Sequence, residues 1–193
     1  MNVHELKDKE LILTYLEGND KAFEVLLTRH KDKIYTSIYL FVKDRDLAND
    51  LFQDVFIKII DTLRKGKYNH EGKFLQWAMR IAYNMCVDNF RRNKRRTKIS
   101  ATETFDIFDI LQCKDDNMDT TMIKSEMHQK VRKLVDQLPP EQREVVILRH
   151  YADMSFKEIS QLTRVSINTA LGRMRYALIN MKKMAGADLL QHA

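Results

Sequence analysis

The sequence predicts an all-α fold of two small helical domains, residues 1–96 and 126–184, joined by an acidic flexible linker at 97–125. A short tail follows at 185–193. Three observations carry this. Apolar residues recur every three to four positions through long segments in both halves, the period of an amphipathic helix. Glycine (5) and proline (2) are scarce among 193 residues, which argues against a turn-rich β protein. Charge comes in blocks: net −3 over residues 1–63, +9 over 64–98, −5 over 99–127 and +6 over 128–184. Two basic blocks flanking an acidic one suit two nucleic-acid contacts joined by a linker. The overall charge of +6 also favours an acidic partner.

In chain order, Glu5–Glu17 carries Leu6, Ile12, Leu13 and Leu16 at helical spacing, and Gly18-Asn19 ends that helix. Asp20 can cap a second helix, running to about Lys43 on Phe23, Leu26, Leu27, His30, Ile34, Ile38, Phe41 and Val42. His30 is read as packing, because no second metal ligand lies four residues away. A third helix spans Asp46 to Leu63, capped by Asp44 or Asp46. Asp50, Gln53, Asp54 and Ile57 share one strip on it, at i, i+3, i+4 and i+7. Two readings of these acids stand side by side: complementing the helix dipole, or docking a basic helix of a partner.

Lys65–Lys73 is a basic loop with Tyr68, Asn69 and His70 at its tip. Phe74 opens the most basic helix, whose expected buried stripe is Phe74, Trp77, Ala78, Ile81, Ala82, Met85 and Phe90. Arg80, Tyr83, Asn84, Asp88, Arg91 and Arg92 face elsewhere. Dipole complementation alone does not need a basic run this dense. Aromatic groups that stack on bases beside Arg and Lys on the backbone fit a single strand or an opened duplex. Cys86 and Cys113 have no metal-ligand spacing, and Cys86 reads as a small buried hydrophobe.

Residues 97–125 break the periodicity and include the acidic-apolar run FDIFDI. A helix at Glu126–Gln137 then ends at Leu138-Pro139-Pro140, and another follows at Glu141–Tyr151. Ser155 can cap a short helix, with Glu158 completing a capping box. Ser166 can cap a longer one with Ile167, Ala170, Leu171, Met174, Ala177, Leu178 and Met181 as its apolar stripe. Its other face offers Asn168, Thr169, Gly172, Arg173, Arg175 and Tyr176. This pattern is that of a helix-turn-helix, whose second helix can enter a major groove; an ordinary helical hairpin with a solvated basic face is the plainer reading.

Together these segments resemble bacterial RNA polymerase sigma factors of the extracytoplasmic-function type, over roughly Ala22–Arg96 and Val131–Met184. DLFQDVF at 50–56 resembles region 2.2, FLQWAMRIAYNMCVDNFRR at 74–92 regions 2.3 and 2.4, and LPPEQREVVILRHYADMSFKEIS at 138–160 region 4. The resemblance implies that Asp50, Gln53, Asp54 and Ile57 bind the clamp helices of the polymerase's largest subunit. It implies that Tyr68, Asn69, His70, Arg80, Asn84, Arg91 and Arg92 take the unpaired −10 strand. Asn168, Thr169, Gly172, Arg173, Arg175 and Tyr176 would face the −35 element, with the second domain on the flap of the second-largest subunit. The linker would thread the active-site path, and an anti-sigma factor would regulate the chain.

The chain departs from the family where a basic residue commonly stands at Leu171 and an arginine at Tyr176. The turn usually has Leu-Gly where Thr163-Arg164 stand, so Arg164 is expected to occupy a strained, positive-φ position. No nucleophile–base pair, phosphate loop or metal cluster rises above chance, so neither enzyme activity, cofactor nor metal is expected. Without an apolar run long enough to span a membrane or a secretory signal, the protein is expected in the cytoplasm, without membrane insertion. Competing readings are a stand-alone helix-turn-helix regulator and a helical adaptor whose basic faces are merely solvated.

Overall fold

A computed structural model of the chain describes residues 3–69, 72–97 and 124–191, and all of its regular structure there is helical. The described residues gather into two units.

The first unit has a single 3-10 turn at Val3–Glu5, then α1 (Asp8–Leu16), α2 (Asp20–Val42), α3 (Arg45–Arg64) and α4 (Phe74–Thr97). The first helix starts later than its apolar pattern implied. The Lys7 N–H donates to Glu10 Oε2 at 2.8 Å, which fixes the start at Asp8. Leu11, Ile12 and Tyr15 face inward, while Leu13 and Leu16 are exposed. Gly18 turns the chain at φ +102°, and Asn19, rather than Asp20, caps α2 by accepting from the Lys21 N–H. Asp44 caps α3 by accepting from the Leu47 N–H.

α2 is the axis of this unit and packs on α1, α3 and α4. Leu26, Ile34 and Ile38 from α2 meet Val55, Ile59 and Leu63 from α3 and Phe74, Ala78 and Ala82 from α4 in the core. Each buried leucine or isoleucine here is worth about 2–5 kcal/mol against alanine. Rings link the helices: Tyr15 lies 4.9 Å from Phe23, Phe23 6.5 Å from Phe56, and Tyr35 5.6 Å from Phe52. The sequence stripe on α4 was rotated from the true one. Leu75, Met79 and Cys86 are buried with Phe74, Ala78 and Ala82, whereas Trp77, Ile81, Met85 and Phe90 are only half-buried. Burial pushes the Cys86 thiol up to about 12, so it stays protonated and inert.

The second unit holds α5 (Lys124–Asp136), α6 (Pro140–His150), α7 (Phe156–Thr163) and α8 (Ile167–Gln191). α5 begins within the last residues expected of the linker. The rest of that linker, FDIFDI and Cys113 included, lies outside the described residues. Pro140 occupies the first turn of α6, where a missing N–H costs nothing. Four consecutive residues, Val145 to Leu148, are buried, so α6 is central. Arg143 is buried as well, and its guanidinium donates to the Leu138 carbonyl at 3.1 Å, closing the turn that follows α5. The tail expected to fray from residue 185 instead continues α8 as helix to Gln191.

Candidate nucleic-acid and partner interfaces

The strip on α3 is where the sequence put it. Asp50, Gln53, Asp54 and Ile57 are all exposed, opposite the buried Leu51, Val55 and Ile59. Ile57 is 64% exposed, an unusual position for isoleucine. Neighbouring Asp61 pairs with Lys65 at 2.6 Å, and that hydrogen bond holds its carboxyl below the ordinary range. Asp50 and Asp54 have no ion pair among the described residues. The strip therefore presents uncompensated negative charge ending on an apolar tip, the surface a basic, partly apolar helix needs.

On α4 the outward line is Trp77, Arg80, Asn84, Asp88 and Arg91, at i, i+3, i+7, i+11 and i+14, with Arg92 exposed beside it. The sequence assigned Trp77 to the core; the structure places it half-buried on this line. Its ring carries Tyr68 from the preceding loop at 4.4 Å and Phe74 at 5.8 Å. Tyr68 is thus folded onto α4 rather than free at a loop tip, while Asn69 is exposed and His70 lies outside the described residues. The signal for Trp77 was its phase. It is seven residues before Asn84 and out of step with Ala78, Ala82 and Cys86. Arg91 approaches Asp88 at 3.7 Å, across two exposed side chains, and stays available to a phosphate. Aromatic rings, an amide and guanidinium groups on one line can stack bases and hold a backbone.

The start of α4 is fixed from far away in sequence. Phe74 packs at 5.3 Å on the ring of His30, which is buried on α2. His30 Nε2 donates to Asp8 Oδ2 at 2.8 Å, and Arg29 also binds Asp8. The hydrogen bond from His30 holds the Asp8 carboxyl below its ordinary range, against the opposing effect of burial, with Arg29 assisting. His30 is a packing residue, as its sequence position implied, and it also carries a partly buried polar pair.

The second unit contains the helix-turn-helix. Ser155 and Glu158 form a reciprocal capping box, with Ser155 N–H to Glu158 Oε2 at 2.8 Å and Glu158 N–H to Ser155 Oγ at 3.3 Å. Arg164 ends α7 at φ +58°, the left-handed position expected for it. Ser166 Oγ then accepts from the Thr169 N–H at 3.0 Å and starts α8. The outward line of α8 is Asn168, Leu171 and Arg175. Thr169 is exposed, but its hydroxyl is engaged with Ser166 at 2.8 Å. An added Cβ at Gly172 would meet no atom within 4 Å, so no internal contact requires glycine there. Arg173 is half-buried against α6 and lies 3.5 Å from Glu144, off the outward line. Tyr176 is exposed on the flank. The expected apolar stripe is narrower than drawn. Ala170 and Ala177 are buried, whereas Ile167, Leu171 and Leu178 are exposed.

Comparison with known proteins agrees with this division. A Sigma-70 region 2 model matches residues 26–96, and a Sigma-70 region 4 model matches residues 128–175. The chain belongs to the RNA polymerase sigma factors, of the extracytoplasmic-function type. It is 26% identical over 172 residues to the RNA polymerase sigma-H factor of Pseudomonas aeruginosa, covering 87% of this chain and 88% of that one. It is 24% identical over 174 residues to the ECF RNA polymerase sigma factor SigW of Bacillus subtilis, covering 88% and 92%. The fold matches CnrH, solved with the cytosolic domain of CnrY, at TM-score 0.61 and 22% identity, over 95% of this chain and 99% of that one. It matches the sigma factor RpoE of Bartonella quintana, solved with the anti-sigma factor NepR, at TM-score 0.68 and 19% identity, over 87% and 99%. This sigma factor is a promoter-specific transcription-initiation factor: it binds core RNA polymerase and promoter DNA. No helix among the described residues is long and apolar enough to cross a membrane.

Proposed function

We propose that the two units divide the work of initiation between them. Residues 1–96 dock on core polymerase through Asp50, Gln53, Asp54 and Ile57, which lie against the clamp helices of its largest subunit. The same unit takes the opened −10 strand along Trp77, Arg80, Asn84 and Arg91, with Arg92, Tyr68, Asn69 and His70 beside it. Residues 126–184 carry the −35 duplex on Asn168 and Arg175, flanked by Thr169, Gly172 and Tyr176. Arg173 contributes from the side, steadied by Glu144. The acidic stretch between the units runs along the polymerase's active-site path. The chain has no chemistry of its own and acts in the cytoplasm. An anti-sigma protein that covers the same surfaces is its expected regulator, a reading supported by the solved fold relative that holds one.

The observation that carries the docking assignment is the α3 strip: two carboxylates without an ion pair among the described residues, ending on an exposed isoleucine. Reversing both charges (Asp50→Lys with Asp54→Lys) leaves the core of the unit untouched, because both side chains point to solvent. Breaking interfacial charge pairs costs about 2–5 kcal/mol, so affinity for core polymerase should fall at least about thirtyfold. Co-purification measures this, with circular dichroism confirming the fold. Unchanged affinity would move the polymerase surface elsewhere.

A further inference from the structure

We propose that Leu171 reads a thymine in the −35 element through its C5-methyl group. The inference rests on the placement of α8 on the −35 duplex and deepens it. Leu171 sits in the middle of the outward line of α8, between Asn168 and Arg175, and is 43% exposed. Among the described residues of its own unit, that face stays open to solvent, while Ala170 and Ala177 do the packing on the other side. Ile167, one turn earlier, is 44% exposed on the flank of the same face.

The chemistry follows from what a leucine can and cannot do in a major groove. A basic side chain there would take the O6 and N7 acceptors of guanine. Leucine has neither donor nor acceptor. Over a G·C pair it would strip water from polar edges and give nothing back. The one apolar group displayed in the major groove is the thymine methyl, so an A·T or T·A pair is the match. Asn168 lies three residues before Leu171, about 5–6 Å away at Cβ, and its amide matches the N6 and N7 edge of adenine. The two side chains together specify neighbouring adenine and thymine, where a basic residue at position 171 would specify guanine.

The test uses holoenzyme assembled from the full chain and core RNA polymerase. A promoter library randomised in its upstream element is transcribed, and the initiating templates are sequenced. The best template is then rebuilt with uracil replacing thymine one position at a time; uracil pairs identically but lacks the methyl. One upstream position should lose initiation by about fourfold, the worth of burying one methyl group. Leu171→Ala should lower the thymine template to the uracil level, closing the gap. Leu171→Met, apolar with similar reach, should keep it. Affinity for core polymerase should be the same for all three proteins, since position 171 is exposed. Equal initiation with thymine and uracil at every position, or a gap that survives Leu171→Ala, overturns the proposal. Failure of the wild-type chain to initiate on any template would be a different result, removing the sigma assignment and this inference with it.

Discussion

The two helices proposed to face nucleic acid, α4 and α8, are held at their starts by opposite means. α8 is fixed locally: the Ser155–Glu158 box sets α7, Arg164 turns the chain at φ +58°, and Ser166 caps the new helix, all within fifteen residues. α4 follows Lys73, which is not a capping residue type, and is fixed by distant groups. Phe74 rests on His30, His30 on Asp8, and Trp77 beneath Tyr68. The contrast fits the two tasks proposed for them. A duplex reader needs a rigid line of side chains matched to base edges. A strand reader needs a broad aromatic floor with cations beside it, which only tertiary packing can assemble.

Removing the aromatic floor should separate the two helices most strongly. Trp77→Ala should lower formation of the open complex roughly 5- to 150-fold, since stacking is worth about 1–3 kcal/mol per base. Permanganate reactivity of unpaired thymines measures that opening. Protection of the upstream duplex in the same complexes should stay as in the wild type. Equal loss of both would mean that Trp77 supports the whole fold rather than one reader.

A second way is to cut the long-range anchor. Asp8→Asn removes a charged hydrogen-bond partner of His30 and Arg29, and should cost about 1.5–3 kcal/mol at neutral pH. Because the folded state lowers the Asp8 pKa, its contribution is present above the ordinary carboxylate value of 3.8 and fades as pH falls through the lower folded value. Denaturant midpoints of the two proteins should therefore differ at pH 7 and converge as pH falls below about 4. A gap independent of pH would show that the charge of Asp8 is not the source of its contribution. The smallest effect sharpens the other side. Arg164→Gly should stabilise the second unit by about 1 kcal/mol, since a left-handed non-glycine residue costs about 1–2 kcal/mol and glycine returns part of that as chain entropy.

The same contrast explains what the sequence revealed. The caps of α3, α7 and α8, Pro140, the strained Arg164 and the exposed α3 strip are signals within a few residues of the feature they create, so pattern reading found them, whereas the α2 cap fell one residue early, on Asn19. Trp77 was misassigned because it is in phase with Phe74, Ile81 and Met85 of the expected stripe, and of these only Phe74 is buried. Its seven-residue spacing to Asn84 put it on the outward line, and the contact with Tyr68 that makes it a floor is tertiary. Leu171 and Leu178 were drawn into the core for a related reason. Two buried alanines on α8 suffice to pack it closely, and a stripe counted by hydrophobicity cannot see that. The Asp8–His30–Phe74 chain joins residues from three helices and left no mark in any one segment.

Whether this chain directs initiation is decided by transcription in vitro by core RNA polymerase on fragmented genomic DNA, with and without the chain, followed by mapping of start sites. Defined new starts should appear only when the chain is present, sharing two upstream elements at constant spacing. The contradicting result is an unchanged transcript set from a chain that instead binds duplex DNA specifically by itself, at about 10⁻⁸–10⁻¹¹ M, as a stand-alone regulator does.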